Sequence, residues 1–193
     1  MDADAAQILG NAHLWIWIAW LVYWTISSYG NKAKAREETR LQRLAHFAPL
    51  IAAVLLFIFS RDLPGLRERI FPPGLLPVAI GTVVLVAGLL FSVWARVTLG
   101  RNWSGTVAVK RGHELIQSGP YRWVRHPIYT GILGGFLGSA LAIDRWGSIA
   151  AVALVFAGFW FKLLREEAWM RQTFGESYTA YCARTKRLLP FLL

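Results

Sequence analysis

Acidic charge is in short supply: 11 Asp and Glu stand against 21 Lys and Arg in 193 residues, a formal charge of +10. Charged residues of both signs reach only 17%, where ordinary soluble domains carry about 25%. One cysteine, Cys182, excludes an internal disulfide. With the four histidines it makes no zinc spacing, so no metal site is expected. GxGxxG after a strand, Walker A, HExxH and GxSxG are all missing. Heptads and internal repeats are missing too. Disorder, a collagen-like repeat and a disulfide scaffold are therefore excluded.

What fills the chain is apolar: 55% of residues are hydrophobic and 10 are Trp. A water-soluble fold of this size has too little interior to hide that surface. Apolar runs cover 13–29, 45–60, 75–97, 129–143 and 146–164. A helix needs roughly 20 such residues to cross a bilayer, within a range of about 17–25. The third and fifth runs reach that, the first and second lie near the lower limit, and the fourth is short. Only Asp144 and Arg145 separate the last two, which predicts a tight helical hairpin. The fold class expected is all-α, an integral membrane bundle of five transmembrane helices. Trp15, Trp17, Trp20 and Trp24 suit an interface-rich first helix. Asp2 and Asp4, in place of a basic flank, argue against a cleavable signal peptide.

The basic residues sort by side. Segments 31–44, 96–128 and 162–193 hold 17 of the 21, leaving Arg61, Arg67, Arg69 and Arg145 for the other side. The positive-inside rule then places the N-terminus outside and the C-terminal tail in the cytoplasm. The charge excess becomes a topology signal, with membrane lipid as the partner and no nucleic acid expected. Gly131, Gly134, Gly135 and Gly138 give two overlapping G-x-x-x-G spacings in the fourth run. Ala150, Ala151, Ala153, Ala157 and Gly158 of the fifth run offer the facing small residues for a closely packed hairpin. The same spacing would serve a dimer, so the oligomeric state stays open.

Polar chemistry gathers in two segments on the basic side, 100–131 and 162–191. In the first, Pro127 suits the opening position of a helix, with Arg125 and His126 just before it. That helix start could hold an anionic group, or the residues could be a basic flank with a capping histidine. In the second, Glu166 and Glu167 sit beside the membrane, where carboxylates are costly unless solvated, paired or used. Lys162 shares a helix face with Glu166, which allows a plain i,i+4 pair. Phe174-Gly175 reads as a helix stop. Tyr178 and Tyr181 beyond it could pack over an adenine or close the core.

HELIQSGPYRWVRHPIYTG, EE some 40 residues later, FGESYTAY and a terminal LLPF together resemble the isoprenylcysteine carboxyl methyltransferase family, and the upstream LGRNWSG resembles its prokaryotic members. That family belongs to a wider group of membrane methyltransferases that includes the phospholipid methyltransferases. The resemblance covers about 98–193. It divides the chain into 1–97, carrying spans 1–3, and 98–193, a core of cofactor-binding loop, hairpin and tail. It implies S-adenosyl-L-methionine as cofactor, leaving as S-adenosyl-L-homocysteine. The pocket would be cytoplasmic, formed by the loop before span 4 and the C-terminal helical tail of a prokaryotic cytoplasmic membrane protein. The cofactor-binding residues carried over are His113, Glu114, Leu115, Ile116, Tyr121, His126, Pro127, Ile128, Tyr129 and Glu166, with Arg125 as the basic neighbour. Lys162, Glu166 and Glu167 are the expected catalytic set. In the family an arginine stands four residues before the glutamate and is associated with substrate. Lys162 keeps its charge and loses the two-pronged grip on a carboxylate.

The implied reaction transfers a methyl group to a lipophilic or small acceptor: an isoprenylcysteine-like carboxylate, a thiol or a phospholipid amine. In-line displacement at a sulfonium needs chiefly positioning and desolvation. For an amine acceptor the sequence offers no proton acceptor beyond the glutamates. Two alternatives stand beside this one. An NADPH-dependent sterol-type membrane reductase would ordinarily be longer. A small transporter or non-enzymatic scaffold fits less well, because no Asp or Glu falls inside an apolar run.

Overall fold

Helix signals in the sequence are met by six helices in a computed structural model, which describes residues 2–110 and 112–190. Arg111 and Phe191, and the side chains of Asp2, Asp4 and Lys110, lie outside the described residues. The helices are α1 (Asp2–Ser27), α2 (Arg40–Phe59), α3 (Leu75–Leu99), α4 (Pro127–Ile143), α5 (Trp146–Phe174) and α6 (Glu176–Arg184). Among the described residues, three are long and apolar enough to cross a membrane by length and composition: α2, α3 with its following turn, and α5. α4 is apolar with 17 residues. Large apolar side chains stand exposed along these helices, among them Ile51 and Ile58 on α2, Val83 and Leu90 on α3, and Phe161 on α5. Outward-facing residues of that kind suit hydrocarbon as the surrounding solvent.

The expectation of an all-α chain is corrected in one place. β1 (Lys34–Glu37) and β2 (Ala108–Lys110) pair antiparallel, with Arg36 opposite Val109 and Glu37 opposite Ala108. The ribbon ties the link after α1 to the loop after α3. Glu38 N donates to Val107 O at 3.1 Å and Lys32 N to Arg101 O at 2.9 Å. Short strands joined at such sequence distance leave no periodic pattern to read.

Local chemistry sets the helix ends. Thr39 accepts from Gln42 N while its own amide donates to the Gln42 side chain, a capping box that starts α2. Pro127 opens α4 as expected, where its missing N–H is no loss. Gly175, at φ +54°, stops α5 where the sequence predicted. Asp144 turns the chain between α4 and α5 with φ +56°. Its carboxylate accepts from the amides of Ile70 and Phe71 and lies 3.0 Å from Arg69.

The packing of the hairpin differs from the expectation. α4 lies chiefly against α3 and α5 against α2, with a smaller α4–α5 contact. The glycines of α4 therefore meet α3, and the alanines of α5 are not their main partner. A Cβ on Gly131 would sit 2.5 Å from Gly88 O, and one on Gly88 2.6 Å from Gly131 O. Gly158 of α5 lies over His46 O and Pro49 of α2. Small residues let backbones touch here, but the spacing alone does not say which neighbour they touch. Gly131→Ala would gain up to about 1 kcal/mol of helix propensity. It would lose about 1–3 kcal/mol to overpacking against unyielding backbone. A lower unfolding midpoint in detergent is expected, with a smaller drop for Gly134→Ala, whose Cβ meets only Gly88 Cα at 3.3 Å.

The tryptophans of α1 also play a different part. Trp17 donates to Ser139 of α4 at 3.0 Å and Trp20 to Ser92 of α3 at 2.9 Å. Trp24 stacks on Trp20 and meets Trp103 edge-on. These rings use their N–H handles to join α1 to its neighbours. Trp15 alone of the four is largely exposed.

Candidate functional site

The three basic segments meet at one end of the bundle. There α2 and α4 begin, α3 and α5 end, and the ribbon crosses between them. Arg36 bonds Gln172, Lys162 bonds Gly105, and Arg125 bonds Glu167. Arg67, Arg69, Asp144 and Arg145 cluster elsewhere around the α4–α5 turn.

Adjacent carboxylates on α5 point to different surroundings. Glu167 is 1% exposed and is clamped by cations from three segments. Arg125 Nε donates to it at 2.8 Å and Arg187 Nε at 3.2 Å, with His126 Nε2 at 3.4 Å and Arg171 at 3.7 Å. Burial alone would raise its carboxyl, but His126 and Arg125 beside it outweigh that and bring the group down to about 2. Arg125 also donates through Nη1 to the carbonyls of Cys182 and Thr185, so its Nε and Nη1 donors are spent inside the protein. Glu166 faces the other way. It accepts from Tyr129 OH at 2.7 Å, lies 3.6 Å from His126 Nδ1, and keeps a side chain 22% exposed.

Helical spacing builds the wall beside Glu166. His126 and Tyr129 are nearly parallel at 5.5 Å, and Tyr129 stacks on Phe159 at 4.7 Å. His126 stands at the cap position of α4 without a capping hydrogen bond, because its ring is turned to the two glutamates. Lys162, which its spacing allowed as a plain i,i+4 partner of Glu166, donates to Gly105 O at 2.8 Å. Its ammonium lies 5.3 Å from the centre of the Tyr129 ring.

The C-terminal tail pins this arrangement. Arg125 N donates to Lys186 O, His126 N to Arg187 O, and the Thr130 hydroxyl to Leu188 O. Tyr181 OH donates to Tyr121 O at 2.6 Å, and Tyr178 and Tyr181 are both buried. Burial raises the phenols of Tyr121, Tyr178 and Tyr181. The last two close the core in this structure.

The sequence-predicted residues thus divide. Lys162, Arg125, His126, Pro127, Ile128, Tyr129, Glu166 and Glu167 come together, with Tyr121 buried close by. His113 stands edge-on to Phe174 at 5.6 Å, and Ile116 packs on the core. Leu115 is half-buried. Glu114 turns outward to Lys32 at 2.9 Å, a bond that lowers its carboxyl. A cavity of about 540 Å³ opens at this end between 28–34 and 103–106, including Gly105, the residue that holds Lys162. It is lined by the link after α1, which the sequence reading assigned no part.

Two further residues were missed. Glu38 has a fully buried carboxylate that accepts from Val107 N at 3.2 Å and lies 3.5 Å from Arg165. His46, 1% exposed on α2, places Nδ1 3.6 Å from Glu38 Oε2. The rule applied to Glu166, that ionisable groups beside a membrane need a reason, applies equally to both.

The family model for phospholipid methyltransferases matches residues 76–177. A probable protein-S-isoprenylcysteine O-methyltransferase of Oryza sativa subsp. indica is 33% identical over 116 residues, 58% of this chain and 61% of its own. Protein-S-isoprenylcysteine O-methyltransferase B of Arabidopsis thaliana is 28% identical over 134 residues, covering 66% and 68%. The chain thus spans about three fifths of the rice relative's length. Among solved structures, a eukaryotic intramembrane Ras methyltransferase, isoprenylcysteine carboxyl methyltransferase, superposes with a TM-score of 0.54 at 23% identity. That match covers 82% of this chain and 55% of the other, and it speaks to the fold alone.

Proposed function

This chain belongs to the phospholipid methyltransferase family, and from that premise we propose that it is an integral membrane methyltransferase using S-adenosyl-L-methionine. Its acceptor is lipophilic or small and enters from the bilayer side. The bundle crosses the membrane five times, with α1 and α4 joining the three longer spans. The end that carries the basic segments faces the cytoplasm.

The observation that carries the reading is the open carboxylate of Glu166 beside the ring wall of His126 and Tyr129. The donor set suits the cofactor. Glu166 has lone pairs left after Tyr129 to take an ammonium group. The amides of Ile128 and Tyr129 precede the first intrahelical bond of α4, Thr130 N to His126 O, and suit a carboxylate. Arg125 is committed to Glu167 and the tail, so its part is to hold the site together. Bound there, the cofactor supplies an electrophilic methyl on a sulfonium. The protein's share is to orient that methyl, exclude water and present an acceptor in line with it.

Purified wild-type protein is expected to bind S-adenosyl-L-homocysteine by calorimetry. Glu166→Ala should weaken binding at least tenfold, about 1.4 kcal/mol. Absence of binding by the wild type would remove this reading.

A further inference from the structure

Glu38 and His46 have no part in the site as described so far, yet both are buried beside it. Neither ring nitrogen of His46 has a hydrogen-bond partner. Glu38 Oε2 lies 3.6 Å from Nδ1, and the Gln42 backbone one turn back also faces the ring. A buried imidazole without a partner is unfavourable, and an apolar residue of that size would fill α2 without that cost. Lys162 presents the complementary case. Its buried ammonium has one carbonyl and one ring face, and among the described residues no carboxylate within 4.0 Å. The charged groups facing His46 are Glu38 from the link before α2 and Lys162 and Glu166 from α5, with Arg165 of α5 reaching Glu38.

We propose that Glu38 and His46 form a proton-accepting dyad beside Lys162, and that the methyl acceptor is a neutral, weakly acidic X–H group, a thiol or phenol. This rests on the methyltransferase reading above. His46 takes the proton of X–H, and the resulting anion lies against the Lys162 ammonium. The electron pair of X forms the new bond to carbon. The bond from that carbon to the sulfonium sulfur breaks with its pair going to sulfur, leaving S-adenosyl-L-homocysteine. Glu38 holds the imidazolium until its proton passes to solvent. A carboxylate arrives already ionised at neutral pH and needs no such base. An ammonium acceptor would meet Lys162 with like charge. Gly105, whose carbonyl holds the lysine, also lines the cavity between 28–34 and 103–106.

The full-length protein is assayed with labelled S-adenosyl-L-methionine, a long-chain alkyl thiol and a farnesylated cysteine carboxylate, from neutral to alkaline pH. Wild type should methylate the thiol. His46→Gln should lower its kcat about 100-fold, with the residual rate rising in proportion to hydroxide. Affinity for S-adenosyl-L-homocysteine should be kept, which also shows that the variant folds. Glu38→Gln should move the wild-type pH inflection to lower pH, since a neutral neighbour no longer favours the imidazolium. Without any cofactor, the ¹³C-labelled histidine resonance missing in His46→Gln should shift when the thiol is added. An unchanged thiol rate in His46→Gln, or a wild type that methylates only the carboxylate, would overturn the dyad and leave the methyltransferase standing. Failure of wild type to methylate either probe or to bind S-adenosyl-L-homocysteine would overturn both. If His46→Gln does not fold, Glu38→Gln and the thiol-induced histidine shift decide.

Discussion

Glu167→Ala is expected to destabilise the protein by about 3–5 kcal/mol, the usual cost of removing one partner from a buried ion pair. The substitution leaves Arg125 at 7% side-chain exposure without its anion, and loosens Arg187 and His126 with it. Because Arg125 also grips the carbonyls of Cys182 and Thr185, the tail should loosen from the start of α4. The effect has a pH counterpart. A carboxyl held at about 2 in the fold, against 4.5 when free, stabilises fully above the free value. That contribution is lost as pH falls from 4.5 toward 2, and amounts to something on the order of 3 kcal/mol. Unfolding midpoints in detergent should therefore fall with acid in the wild type. Glu167→Ala should start lower and lack that step. A wild-type midpoint flat through this window would count against the clamp.

The clamp was half legible in the sequence. Two adjacent glutamates at a membrane edge stand out, and RHP before an apolar run marks a helix start. Their spacing could not say which glutamate is consumed by structure and which is left open. That division follows from α5's rotation: consecutive residues lie about 100° apart on a helix, so Glu167 turns to the tail and Glu166 to the aromatic wall. The glycines of α4 show the same limit. G-x-x-x-G announces a close approach, but its partner is α3, across a loop the sequence could not fold. Glu38 and His46 were hidden for another reason. A glutamate before a capping box looks solvated, and a lone histidine on an apolar helix looks like filler. Their meaning arises only when the ribbon brings 38 and 107 together and α2 lies on α5. Local signals were readable, and contacts between distant segments were not.

Lys162→Met is expected to stabilise the protein while nearly abolishing methyl transfer. A buried ammonium bonded to one carbonyl is a poor contributor to stability, because its desolvation is offset only by Gly105 O and the Tyr129 ring. Methionine keeps most of the volume without the charge, and such replacements have stabilised proteins by about 1–4 kcal/mol. The unfolding midpoint in detergent should rise. Turnover should fall about 100- to 1000-fold, the scale of losing one preorganised electrostatic group. Lys162→Arg separates charge from shape. It keeps the cation but puts a planar fork where a point charge stood. It should therefore favour a carboxylate over a thiol, moving the acceptor preference while leaving cofactor affinity near that of wild type. The contrary outcome is a lower midpoint for Lys162→Met with turnover lost only in proportion to unfolding. Lys162 would then be a strut that holds the 103–106 loop through Gly105. The opposed signs on stability and turnover make the two roles separable, because a strut loses both together and a catalytic cation trades one for the other.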